Sequence, residues 1–158
     1  MQEYVNRFAP VQVFNLSITQ SSIIDATHQR MQKAYHASGG PWQRAYMPRT
    51  LFVFLNEQAG LSPEGRRAAA YEESQRALGA YWTALEGTLD PEKVKKATNN
   101  AVVGNASDVS RQILERFHPE DRLMLWFDFF NHDNARVLDN MRAFMQHVVP
   151  KIQEAVKA

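Results

Sequence analysis

The residues best suited to chemistry fall in a few short polar turns. Asn131-His132-Asp133 sets a histidine beside a carboxylate, a pairing able to move protons near neutral pH. Asp128 lies just upstream, between Phe127 and Phe129. The candidate acid–base groups are therefore His132, Asp133 and Asp128. The alternative is plainer: His132 is exposed, Asp133 caps a helix, and Asp128 ends a strand with a backbone hydrogen bond. Gly104-Asn105-Ala106-Ser107 opens a helix, and free N–H groups at a helix start suit a phosphate. Gly104, Asn105, Ser107 and Asn131 are thus candidate cofactor contacts. Ordinary capping by Asn105 or Ser107 is the alternative. His28 and His36 stand eight apart on a helix, a poor spacing for joint metal ligation. His118 and His147 are isolated, and cysteine is absent. No metal site is expected, and thiolate chemistry is excluded. Gly-rich nucleotide fingerprints and a Gly-x-Ser-x-Gly elbow are also absent.

Strands and helices must carry these turns. Val11–Ile18 and Thr50–Leu55 are rich in β-branched and aromatic residues and read as strands. Arg122–Phe130 (RLMLWFDFF) is almost continuously apolar and reads as a strand buried on both faces. A helix follows Thr19–Ser22, with Ile24, Thr27, Met31 and Ala34 on one side. Ser62-Pro63-Glu64 starts a long helix that Gly87 ends. Its expected stripe is Tyr71, Leu78, Trp82 and Leu85. Asp90-Pro91-Glu92 starts a short polar helix over Lys93–Lys96, and Ala101–Gly104 is a lead-in. Val109, Ile113 and Phe117 mark one face of the next helix, which His118-Pro119 stops. Val137, Met141, Phe144, Val148 and Ile152 mark the last. The order is β-α-β-α-α-α-β-α, an α/β fold with three parallel strands and crossover helices.

Three groups of residues within Ala101–Ile152 also resemble a known family. Val102-Val103-Gly104 leading to Asp108-Val109, the strand Leu123-Met124-Leu125-Trp126-Phe127-Asp128, and Phe144 followed by Val148-Val149-Pro150 resemble the end of the luciferase-like flavin-dependent monooxygenases. The likeness extends more loosely back to about Tyr4. It implies a partial (β/α)8 barrel: residues 1–158 as one domain corresponding to the last three β/α units. It also implies reduced flavin, FMN or F420, as cofactor, and a role within a flavin-dependent oxidoreductase. A non-catalytic assembly module or barrel remnant is the alternative. No residue of a catalytic motif is carried over by the likeness.

Bulk properties narrow the partners. A chain of 158 residues with 18 basic and 17 acidic side chains has a net charge of +1. That balance predicts neither nucleic-acid nor anionic-membrane binding. The start MQEYVNRFAP has no basic head before an apolar core, so no signal peptide is expected and the cytoplasm is the expected compartment. Three strands are too few to close a barrel, yet each is apolar on both faces. Leu51, Val53 and Leu55 oppose Phe52 and Phe54, and Leu123, Leu125 and Phe127 oppose Met124 and Trp126. One face needs cover. The expected solutions are a homodimer, a partner barrel fragment, or helices wrapped over the second face as a small sandwich.

Overall fold

A computed structural model describes residues 2–12, 21–87, 90–127 and 133–157. After a short α1 (Gln2–Val5), α2 spans Ser21–Ala34. It buries Ile24, Thr27, His28 and Met31, the spacing of one helical face. β1 (Arg49–Leu55) is buried at every position. α3 (Pro63–Glu86) starts as expected: Ser62 Oγ accepts the Gly65 N–H, and Pro63 occupies the first turn. Gly87 ends it in the left-handed conformation, at φ 72°. α4 (Pro91–Asn100) is capped by Asp90 and is longer than its polar centre predicts, because Val94, Ala97 and Thr98 are buried.

The expected lead-in at Ala101–Gly104 is instead a strand, β2 (Val102–Gly104). Its three residues are too few to show a period, and only pairing with β1 makes them extended. α5 (Ala106–Arg116) and β3 (Leu123–Trp126) follow. The predicted strand at Val11–Ile18 falls largely outside the described residues, as does the end of the predicted Arg122–Phe130 strand.

The sheet is parallel with order β2-β1-β3. Val53 pairs with Val102 on one side of β1, and Leu51 pairs with Leu125 on the other. Arg49 N–H donates toward β3, to Arg122 O, while Asn56 N–H donates toward β2, to Gly104 O. Alternate residues of a parallel strand point their backbone groups to opposite neighbours, so β1 is the central strand. Consecutive strands of a closed (β/α)8 barrel are neighbours, whereas here β3 skips β2 to lie beside β1.

Both faces of β1 are covered by helices of the same chain. Leu51, Val53 and Leu55 pack with Val109, Ile113, Phe144 and Val148. Phe52 and Phe54 pack with Ala77, Leu78, Val94 and Ala97 from α3 and α4. Burying each large side chain contributes roughly 1.5–3 kcal/mol, and this contribution drives the wrapping. α3 presents Ala70, Ser74, Ala77 and Leu78 inward, while the expected Tyr71 and Leu85 are exposed. Small residues let the helix approach the sheet, since interaxial distance follows the contact side chains. Among the described sheet residues, the uncovered apolar surface is at the β3 edge, where Met124 and Trp126 keep 41% and 39% of their surface exposed. β3 is therefore half-buried on one face and exposed on the other, rather than buried on both.

The terminal helix is not uniform. α6 (Asn134–Ala143) passes into a π-helical turn (Phe144–Val148) and then α7 (Val149–Lys157). Val149 N–H bonds Phe144 O, five residues back. Pro150 supplies the cause: it has no N–H, and its ring would clash with the Gln146 carbonyl in a regular helix. Asn140, Phe144 and Val148 are buried, while Met141 of the expected stripe is exposed.

Candidate functional site

The carboxyl ends of β1 and β2 converge with the start of α5, on the side where parallel α/β folds bind ligands. Asn105 Oδ1 accepts the N–H groups of Ser107 and Asp108, both at 3.0 Å. Asp108 Oδ2 accepts the Asn105 N–H in return at 3.3 Å, completing a capping box. Glu57, just beyond β1, accepts the Ala106 N–H at 2.5 Å. The first-turn N–H groups of Ala106, Ser107 and Asp108 are therefore already bonded, and the anticipated backbone cradle for a phosphate is closed by side chains. Gly104 has φ 138°, and a Cβ there would sit 2.6 Å from the Asp108 Cβ. Its role is close backbone approach.

Side chains supply charge around these caps. Arg67 grips Asp108 with two bonds, Nε to Oδ2 at 3.0 Å and Nη2 to Oδ1 at 2.9 Å. Burial opposes ionisation of Asp108, but the Arg67 bonds and the Asn105 N–H outweigh it and hold the carboxyl below its usual range. Arg66 Nη1 donates to Glu57 Oε2 at 2.5 Å. From α7, Lys151 Nζ donates to Ser107 Oγ at 2.9 Å. Arg66, Arg67, Ser107, His147 and Lys151 line a cleft of about 630 Å³. The π turn sits directly before this wall and carries Gln146 and His147.

A second cleft, of about 420 Å³, opens on the other flank of the β1 end. Asn56 and Asp133 both line it. Asp133 caps α6 by accepting the Arg136 N–H at 3.0 Å. Arg136 Nη2 donates to Leu55 O and Glu73 Oε2, each at 2.9 Å.

The predicted site residues thus divide. Gly104 and Asn105 are buried in backbone and capping roles, while Ser107 is exposed to the first cleft. Asp133 is an exposed cap in the second cleft. Asp128, Asn131 and His132 lie outside the described residues. Arg66, Arg67, His147 and Lys151 join the site without being marked by any motif. The one sequence signal for the last two is Pro150, a proline inside a helical pattern.

A second polar cluster lies at the amino end of the strands. Asp121, just before β3, accepts from Arg44 Nε at 2.6 Å, Arg49 Nη1 at 3.4 Å and the His118 N–H at 3.2 Å. Burial raises the Asp121 pKa, but these bonds outweigh it and hold the group ionised below its usual range. His28, 2% exposed, accepts from Trp42 Nε1 through Nδ1 at 3.1 Å, and its Nε2 stands 3.8 Å from Asp121 Oδ1. Burial and then Arg44 lower the His28 pKa. Among the described residues no group of three His, Cys, Asp or Glu side chains could hold a metal ion. None of the described helices is long and apolar enough to cross a membrane.

A parallel α/β sheet with polar clefts at its carboxyl end defines the class. Within that class the backbone resembles monooxygenases. It matches monooxygenase RslO1 from Streptomyces bottropensis with a TM-score of 0.65 and 19% identity, over 88% of this chain and 41% of that one. It also matches a type II Baeyer-Villiger monooxygenase, the oxygenating constituent of 3,6-diketocamphane monooxygenase from Pseudomonas putida, solved in complex with FMN. There the TM-score is 0.54 and the identity 18%, over 88% of this chain and 42% of that one. This chain therefore spans about two fifths of either structure. No family model matches the sequence, and no curated protein is similar to it.

Proposed function

We propose that the chain is the carboxyl-terminal portion of a luciferase-like, flavin-dependent monooxygenase barrel, equivalent to its last three β/α units and acting in the cytoplasm. The observation that carries this reading is the backbone likeness to RslO1 over 88% of the chain, together with the Val102–Pro150 motifs. FMN or F420 is the cofactor on this reading. The donor set of the first cleft suits a phosphate. Among the described residues its walls offer no Phe, Tyr or Trp, only small apolar groups such as Pro63, Ala106 and Pro150, whereas ligand pockets are mostly apolar and aromatic. The flavin ring does not fit there. On this reading Asn131 contacts the flavin, and the carboxyl and imidazole groups of Asp128, His132 and Asp133 hold or move protons. Flavin supplies the redox chemistry when bound.

The test is titration of the protein with FMN and with F420, followed by absorbance. Weak binding that disappears when Asn131, His132 and Asp133 are all replaced by Ala, with the circular dichroism spectrum retained, supports the assignment. Unaltered binding by the triple variant places the site elsewhere.

The reading as a non-catalytic module rests on a different observation. The chain wraps its own helices over both faces of β1, and of the described sheet residues only Met124 and Trp126, at the β3 edge, stay exposed. A colourless protein that ignores flavin and pairs with itself or with another barrel fragment supports that alternative.

A further inference from the structure

We propose that the cleft between α3, α5 and α7 is a phosphate-monoester site whose ligands are side chains: Lys151, Ser107, Arg67, Arg66 and His147. The charge balance of the cleft points to an anion. Glu57 and Asp108 are each neutralised by an arginine, Arg66 at 2.5 Å and Arg67 at 2.9 Å. Lys151 has no carboxylate within ion-pair distance among the described residues, and its Nζ meets only a neutral partner, Ser107 Oγ, at 2.9 Å. One positive charge is therefore left over. The arginines also keep donors in reserve. Arg67 spends Nε and Nη2 on Asp108, and Arg66 spends Nε and Nη1 on Gln58 O and Glu57. That leaves Arg67 Nη1 and Arg66 Nη2 without partners among the described residues. A phosphate presents several acceptor oxygens and little else, and charge-assisted bonds from ammonium and guanidinium groups are the strong ones.

The first-turn N–H groups of α5 play no part, since Glu57 and Asn105 already occupy them. The π turn does play one: the wall of the cleft is built from it and from α7, with His147 and Lys151 four residues apart across Pro150. A phosphorylated flavin and a phosphorylated metabolite present the same group. The site does not require the flavin reading, and the arms of one experiment separate the two sources.

Inorganic phosphate, FMN and riboflavin are each titrated into the full chain, with Tm and calorimetric binding as readouts. Phosphate is expected to raise Tm saturably. Lys151→Gln should weaken phosphate on the order of tenfold, as loss of a charge-assisted contact does. Ser107→Ala should weaken it less, and Lys33→Gln, an exposed charge on α2, should leave it unchanged. Competition by FMN but not riboflavin makes a flavin the source. Phosphate binding that FMN does not compete supports the site with a non-flavin ligand and removes the flavin from it. FMN and riboflavin binding equally, with no response to Lys151→Gln, overturns the phosphate site while leaving flavin binding intact. No response of Tm or heat to phosphate also overturns it. Lys151 is exposed on α7, so its replacement tests binding and not folding.

Discussion

Arg136 Nη2 lies 2.9 Å from Glu73 Oε2 and the same distance from Leu55 O. This one side chain ties α6 to α3 across the carboxyl end of β1 and lines the second cleft. Arg136→Ala should cost about 2–3 kcal/mol, because Glu73 stays nearly buried while losing a charged partner. Glu73→Gln keeps an acceptor and removes the charge, so it should cost less than half as much. Urea unfolding of both variants checks the ranking, and equal costs would mean that the pair is not the tie.

Stability should fall on acidification in two separable stages. His28 has a folded pKa below its ordinary 6.5, so the unfolded chain binds the extra proton first and stability is lost as pH drops below about 6.5. Asp121 and Asp108 have depressed folded pKa values. Their contribution is complete above the ordinary carboxylate range and is lost as pH falls through the folded values. Tm against pH should therefore show an upper step that His28→Gln removes and a lower one that it leaves. A single step, unchanged in His28→Gln, would contradict the buried neutral imidazole.

Two aromatic residues on the same sheet face should respond differently to truncation. Phe54 is 1% exposed between α3 and α4, and Phe54→Ala should cost about 3–5 kcal/mol. Trp126 is partly exposed and meets Phe52 edge-on at 5.5 Å, so Trp126→Ala should cost only about 1–2 kcal/mol. Chemical denaturation measures both, and a Trp126 cost equal to that of Phe54 would mean that something covers the β3 edge.

Any self-association should run through that edge, because β1 is covered on both faces. The protein is expected to sediment as a dimer that Trp126→Glu dissociates, since a charge there cannot be buried without a partner. A monomer at every concentration would show that the exposed Met124 and Trp126 are tolerated in water.

The local elements are largely legible in the residues themselves. Ser62-Pro63, Asp90-Pro91 and Asn105 each start the helix expected of them, because capping is a contact between residues two or three apart in the chain. β1 and part of β3 announce themselves by apolar runs. The turn at Gly104–Ser107 stands out by its capping residues, and the polar residues at Asp133 by their place after an apolar run. What the sequence could not decide depends on distant residues. β2 is a strand only because Val53–Leu55 pairs with it. The order β2-β1-β3 depends on which edge of β1 each later strand meets, and no local pattern records that. α3 turns Ala70, Ser74 and Ala77 inward beside the expected Leu78, and leaves the expected Tyr71 and Leu85 outside, because close approach to Phe52 and Phe54 favours small side chains. The first cleft draws on Glu57, Arg67, Ser107 and Lys151, residues brought from four separate stretches of chain. Its charge balance exists only once the fold has paired each arginine with a carboxylate and left one lysine over.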